Sequence, residues 1–120
     1  MKIESFRDLI VWQRAMELVI LTYEKIKYFP KNEEFGLTSQ IKRSAVSIPS
    51  NIAEGYGRRS TGDYIRFLQI SLGSLYELQT QIEISRRLSF LKDSECQELN
   101  GLCEEVSKML ISLINKLSVA

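Results

Sequence analysis

Apolar residues recur every three or four positions in four successive stretches of this chain, and no stretch alternates with period two. That pattern confines the fold to packed helices, because a helix brings positions three and four apart onto one face whereas a half-buried strand needs every second residue. The first stretch, about 7–28, sets Leu9, Trp12, Met16, Val19, Ile20, Tyr23 and Ile26 on one side. Ser5 and Asp8 stand at capping-box spacing at its start, and Pro30 closes it. The second, about 34–56, repeats the stripe with Leu37, Ile41, Ala45, Ile48 and Ile52. Pro49 lies inside it and predicts a kink or, as the lesser alternative, a break. Gly55 and Gly57 read as stop signals.

Ser60 and Asp63 form a second capping-type start, opening a third helix over about 61–88 with Tyr64, Phe67, Leu68, Leu72, Leu75, Leu78 and Ile82 facing inward. A fourth, about 94–117, carries Leu99, Leu102, Val106, Met109, Leu110, Leu113 and Leu117. Helices joined by a few residues turn back as antiparallel neighbours. The expected fold is therefore all-α, an up-down-up-down antiparallel four-helix bundle without β-sheet, formed as a single domain by residues 1–120.

The same residues narrow the chemistry. The chain has no histidine, so the Glu-x-x-His ligand pairs of di-iron bundles cannot be built and the usual partner of a serine nucleophile is missing. Glu33-Glu34 and Glu104-Glu105 are neighbours in sequence and diverge by about 100° on a helix, so neither is a convergent carboxylate pair. Cys96 and Cys103, seven apart, would have backbones about 10 Å from each other along a helix, beyond disulfide reach. They read as small core residues. The expectation is a protein that is not an enzyme, with no cofactor, no metal and no small-molecule substrate. No run approaches the roughly 20 apolar residues of a membrane span, and nothing resembles a signal peptide, so the expectation is no membrane association and a cytoplasmic location.

Net charge is +1, yet the proposed topology divides it unevenly. The chain start, the second connection and the C-terminus would gather at one end, with Lys2, Arg7, Arg14, Arg58, Arg59, Arg66 and Lys116 against Glu4, Asp8, Glu54 and Asp63, a net +3. Residues 24–34 and 83–98 at the other end have a net charge of −1. The run from Gly55 to Ser60 joins two helices, which excludes a dinucleotide-binding loop. It can still be read either as a helix stop with solvated arginines or as an anion site beside the third helix's N-terminus.

Two helices carry more apolar surface than one stripe uses: Ile10, Val11, Leu18 and Leu21 in the first, Ile65, Ile70, Tyr76 and Ile84 in the third. Val11 and Leu18 align seven apart. A second stripe predicts self-association, with Val11, Leu18, Ile70 and Tyr76 as interface residues.

The run Phe6–Ala15, the run Gly36–Ala45 with Ser47-Ile48, then Asn51-Ile52-Ala53-Glu54-Gly55 with Arg58, and Phe67-Leu68, Gly73-Ser74 and Glu77-Leu78 together resemble the four-helix-bundle family of 23S ribosomal RNA intervening-sequence proteins. The likeness spans about Phe6 to Leu91 in order and spacing; beyond it the fourth helix agrees in pattern only. Ser71 departs from an alanine common in the family. The resemblance implies a small bacterial bundle that assembles as a homopentamer, with no catalytic activity attached. It also implies likeness in fold to the accessory variability protein of diversity-generating retroelements, a basic, nucleic-acid-binding barrel.

Within the motif, Asn51, Glu54 and Arg58 share one side of a continuing helix, and Arg43 lies near that side. They would form a polar network between protomers or, alternatively, line a groove. Two functions then compete. One is a homo-oligomer that binds RNA or DNA through its basic end, with Arg58 and Arg59 leading and Arg7, Arg66 and Lys116 in support. The other is a protein-interaction scaffold that binds no nucleic acid.

Overall fold

The computed structural model describes residues 2–119. Four helices, α1 (Ile10–Lys25), α2 (Leu37–Tyr56), α3 (Thr61–Arg87) and α4 (Asp93–Ser118), form the bundle, and no strand occurs among the described residues. At about 1.5 Å per residue the 27 residues of α3 span about 40 Å, most of the 46 Å long axis of the molecule. Each helix packs against its two neighbours in the order α1, α2, α3, α4 and back to α1. The pairing is antiparallel: Ile48 meets Ser71 while Gly55 meets Phe67, and Arg14 meets Glu105 while Lys25 meets Glu98.

The ends of the helices refine the sequence reading. The Ser5–Asp8 capping box exists, but it caps a 3-10 turn over Phe6–Asp8, and α1 starts after Leu9. A second 3-10 turn, Lys31–Glu33, precedes α2, which delays that helix to Leu37. Ser60 caps α3 as predicted, its hydroxyl accepting from the Asp63 N–H at 3.1 Å. Helix α3 ends without glycine. Ser89 takes the left-handed conformation, φ 63°, and the Phe90 and Ser89 N–H groups return to the carbonyls of Ser85 and Arg86, the bonding of a Schellman ending. Pro49 does not break α2, which continues to Tyr56 with the proline buried.

One core runs through the bundle, built from residues such as Leu18, Ile41, Ile48, Leu68, Leu78, Leu99 and Leu110. Cys96 and Cys103 are buried in it as free thiols, and burial pushes the Cys103 thiol up to about 12. The inward face of α1 differs from the expected one. Val11, Ala15, Leu18, Thr22 and Ile26 are buried, whereas Met16, Ile20 and Tyr23 are exposed. Thr22 can lie inside because its hydroxyl donates to the Leu18 carbonyl at 2.7 Å.

Candidate nucleic-acid interface

The junction of α2 and α3 starts from a missing side chain. Gly55 is buried in the last turn of α2, and a Cβ there would stand 2.8 Å from Phe67 Cβ and 3.1 Å from Tyr64 Cδ1. Gly55 is thus a close-approach residue, not a helix stop. Gly57 ends the helix instead, at an ordinary negative φ of −80°. The close approach sets Tyr64 edge-on to Tyr56, with centroids 6.1 Å apart, and burial, with a smaller contribution from Tyr56, raises the Tyr64 pKa.

Two predicted phosphate contacts meet at this junction. The guanidinium carbons of Arg58 and Arg66 lie 4.6 and 4.8 Å from the centroid of the same Phe67 ring. A cation over an aromatic face is held by the ring quadrupole, so the ring keeps two cations together that would otherwise repel. Their carboxylate partners are exposed and loosely engaged: Glu54 at 3.3 Å from Arg58, and Asp63 at 3.9 Å from Arg66. Such pairs contribute little in water, which leaves both arginines open to exchange partners for a phosphate. Arg59 is exposed beside them and makes no ion pair with a described residue. The α3 N-terminus itself already holds the Ser60 cap and the acidic Asp63 in its first turn, so the anion-attracting group here is the arginine pair more than the helix end.

Arg7 lies in the 3-10 turn beside α1, and Lys116 lies near the end of α4. Arg7 stands 4.5 Å over Phe6, whose ring packs edge-on against Trp12 at 5.3 Å. Lys116 lines an open groove of about 640 Å³ with Ile3, Asp8, Leu9 and Met109, which brings the C-terminal part of α4 beside the chain start. The turn containing Arg7 also packs against α2.

The motif residues separate into two sets. The Asn51 amide donates to the Ser47 carbonyl and hydroxyl, both at 2.8 Å, and Ser47 shares a 2.8 Å hydrogen bond with Ser74 of α3. Asn51 is therefore engaged within the chain, in the α2–α3 seam. Glu54 pairs outward with Arg58, and Arg43 is exposed without joining either set.

The predicted interface residues also divide. Val11 and Leu18 are 6% and 0% exposed, so they belong to the monomer's own core and cannot form an outer stripe. The physical cause is that α1 has two overlapping apolar stripes, and the buried one runs through small Ala15 and self-bonded Thr22. Ile70 and Tyr76 are exposed at 42% and 48%, joined on α3 by Ile84 and on the outer side of α1 by Ile10 and Ile20. No group of three or more His, Cys, Asp or Glu residues placed to hold a metal occurs among the described residues, and none of the described helices is long and apolar enough to cross a membrane.

Comparison with known proteins adds to this geometry. The family model described as 23S rRNA-intervening sequence protein matches residues 7–112. The chain is similar to a crystal structure of a protein of unknown function from the S23 ribosomal protein family of Bacteroides thetaiotaomicron, with a TM-score of 0.81 and 28% identity over 88% of this chain and 98% of that one. No curated protein matches the sequence.

Proposed function

Because the chain belongs to the 23S rRNA-intervening sequence protein family, we propose that it is a non-enzymatic homo-oligomer, a pentamer by that resemblance, that binds structured RNA through its Arg58 end. The observation that carries this reading is the pair Arg58 and Arg66 over one Phe67 ring. Cations placed before the ligand arrives lose less side-chain freedom on binding. Arg59 adds charge next to them, and Arg7 and Lys116 extend the cationic end toward α1 and α4.

Oligomerisation supports the reading in two ways. Ile70, Tyr76 and Ile84 on α3, with Ile10 and Ile20 on α1, offer apolar area that a second copy would cover. A ring of parallel copies would also repeat the arginine pair around one rim, and simultaneous contacts multiply a weak single-site affinity.

The test is binding of the intact oligomer to a structured RNA across a salt series, with the oligomer state fixed by light scattering. Affinity should fall steeply as salt rises, since each neutralised phosphate releases counterions. Arg58→Ala with Arg59→Ala should abolish binding while the oligomer persists. An intact oligomer that fails to bind at low salt, and instead captures a protein through its apolar faces, would establish the scaffold reading.

A further inference from the structure

At the opposite end of α2 from Arg58, the connection from α1 folds over an open groove of about 570 Å³. Its charge is uneven in a way the near-neutral sum of that end conceals. Lys27, Lys31 and Lys42 line it, and Glu34 is the lone carboxylate against them. Lys25 nearby is tied to Glu98 at 2.8 Å. The three groove lysines, by contrast, make no ion pair with any described residue.

Two further features mark the groove as more than a solvated rim. Lys42 Nζ sits 5.2 Å from the Tyr23 ring centroid, so the aromatic face holds this ammonium against the wall. Thr38, on the same wall, has a buried hydroxyl oxygen with no hydrogen-bond partner among the described residues. That oxygen is shielded from solvent, an unused polar atom beneath the wall, and the groove surface itself carries the three unneutralised cations.

We propose that this groove is a second anion site, distinct from the arginine pair, and that it takes a di- or triphosphate group. Three ammoniums with one opposing carboxylate favour a ligand that brings several negative charges close together, and ammonium groups bind phosphate oxygens as mobile point charges. The volume lies within the range of small-ligand clefts. The group can belong to a free nucleotide or to the 5′ end of an RNA.

Isothermal titration of the intact protein with pyrophosphate, with ATP, and with one RNA hairpin carrying either a 5′-triphosphate or a 5′-hydroxyl tests the site. Pyrophosphate should bind more tightly than sulfate. Binding of ATP identifies a free nucleotide as a source, and preference for the 5′-triphosphate hairpin identifies an RNA end. Lys27→Ala with Lys42→Ala should weaken pyrophosphate binding about tenfold or more, and Glu34→Gln should tighten it several-fold. These side chains are on the surface, so circular dichroism should show the helices intact in every variant. The site is overturned if pyrophosphate, ATP and the triphosphate end all bind no better than sulfate, or if Glu34→Gln and the lysine pair leave affinity where it was.

Discussion

Helices α2 and α3 meet through small and hydroxylated residues, Ser47, Gly55, Ser71 and Ser74, with hydrogen bonds passing directly between the helices. Helices α1 and α4 are joined differently, with charged side chains bridging their rim: Arg14 to Glu105 at 3.0 Å and Lys25 to Glu98 at 2.8 Å. A seam with short side chains lets backbones approach, and any polar group trapped there must find its partner inside. A seam with long ones keeps its polar groups in water. The Arg58–Phe67–Arg66 cluster stands on the first kind of seam, so its geometry depends on a contact with little room to adjust.

The largest expected effect comes from filling that contact. Gly55→Ala places a methyl 2.8 Å from Phe67 Cβ and 3.2 Å from the Tyr64 carbonyl oxygen, and backbone has to move. Overpacking of this kind costs about 1–3 kcal/mol, read as a lowered urea midpoint. The same variant should weaken RNA binding, because Phe67 moves with both arginines. Unchanged stability would mean the seam is looser than its distances indicate.

Ser71→Ala comes next. The Ser71 hydroxyl donates to the Ile48 carbonyl at 2.8 Å from a fully buried position, and a buried neutral hydrogen bond contributes about 0.5–1.5 kcal/mol net. Chemical denaturation should show a loss in that range. A stabilised variant would show that the hydroxyl is tolerated in the seam and adds nothing to it.

These two residues also mark where the sequence stops being legible. Stripes of leucine and isoleucine announced four helices, their order and most of the core in α2, α3 and α4, because burial of large apolar groups dominates and leaves a period. The α2–α3 seam leaves no such period: Ser71 and Ser74 are buried, yet a serine reads as surface until its partner is seen. The inward face of α1 is hidden in the sequence for a related reason, since Ala15 and Thr22 weigh little in an apolar stripe although both are fully buried. Of the site, Arg58 and Arg66 could be named from charge and topology, but their common ring could not. Tyr23 and Lys42 belong to different helices, and the Lys27–Lys31–Lys42 groove exists only once α1 and α2 are set side by side.

A smaller effect should follow on the other seam. Arg14 is an exposed side chain bonded to Glu17 on its own helix as well as to Glu105 across the rim, and these contacts raise its pKa. Exposed pairs lose most of their attraction to water and to the entropy of holding two long side chains. Arg14→Ala should move the urea midpoint less than Ser71→Ala does, and the difference from the parent protein should shrink further in high salt. A loss as large as that of Gly55→Ala, insensitive to salt, would erase the contrast between the seams.

The smallest effect tests whether the turn between α3 and α4 follows the rim rule. Glu83 accepts from Arg86 at 2.8 Å and from Arg87 at 2.8 Å, and Arg86 lies 3.7 Å from Asp93 at the start of α4. Hydrogen bonds from Arg86 first and Arg87 second hold the Glu83 carboxyl down at about 2. In the unfolded chain the same group takes its proton near 4.5. Between those values the unfolded state binds more protons, so stability rises with pH across that window. The contribution is whole above the upper value and is lost as pH falls through the lower one. Solvent screens a group this open, so Glu83→Gln should flatten the acid limb of stability against pH only slightly and leave neutral-pH stability close to that of the parent. A steep acid limb that Glu83→Gln removes outright would instead place the turn with the tight seam, as a contact on which the α3–α4 pairing depends.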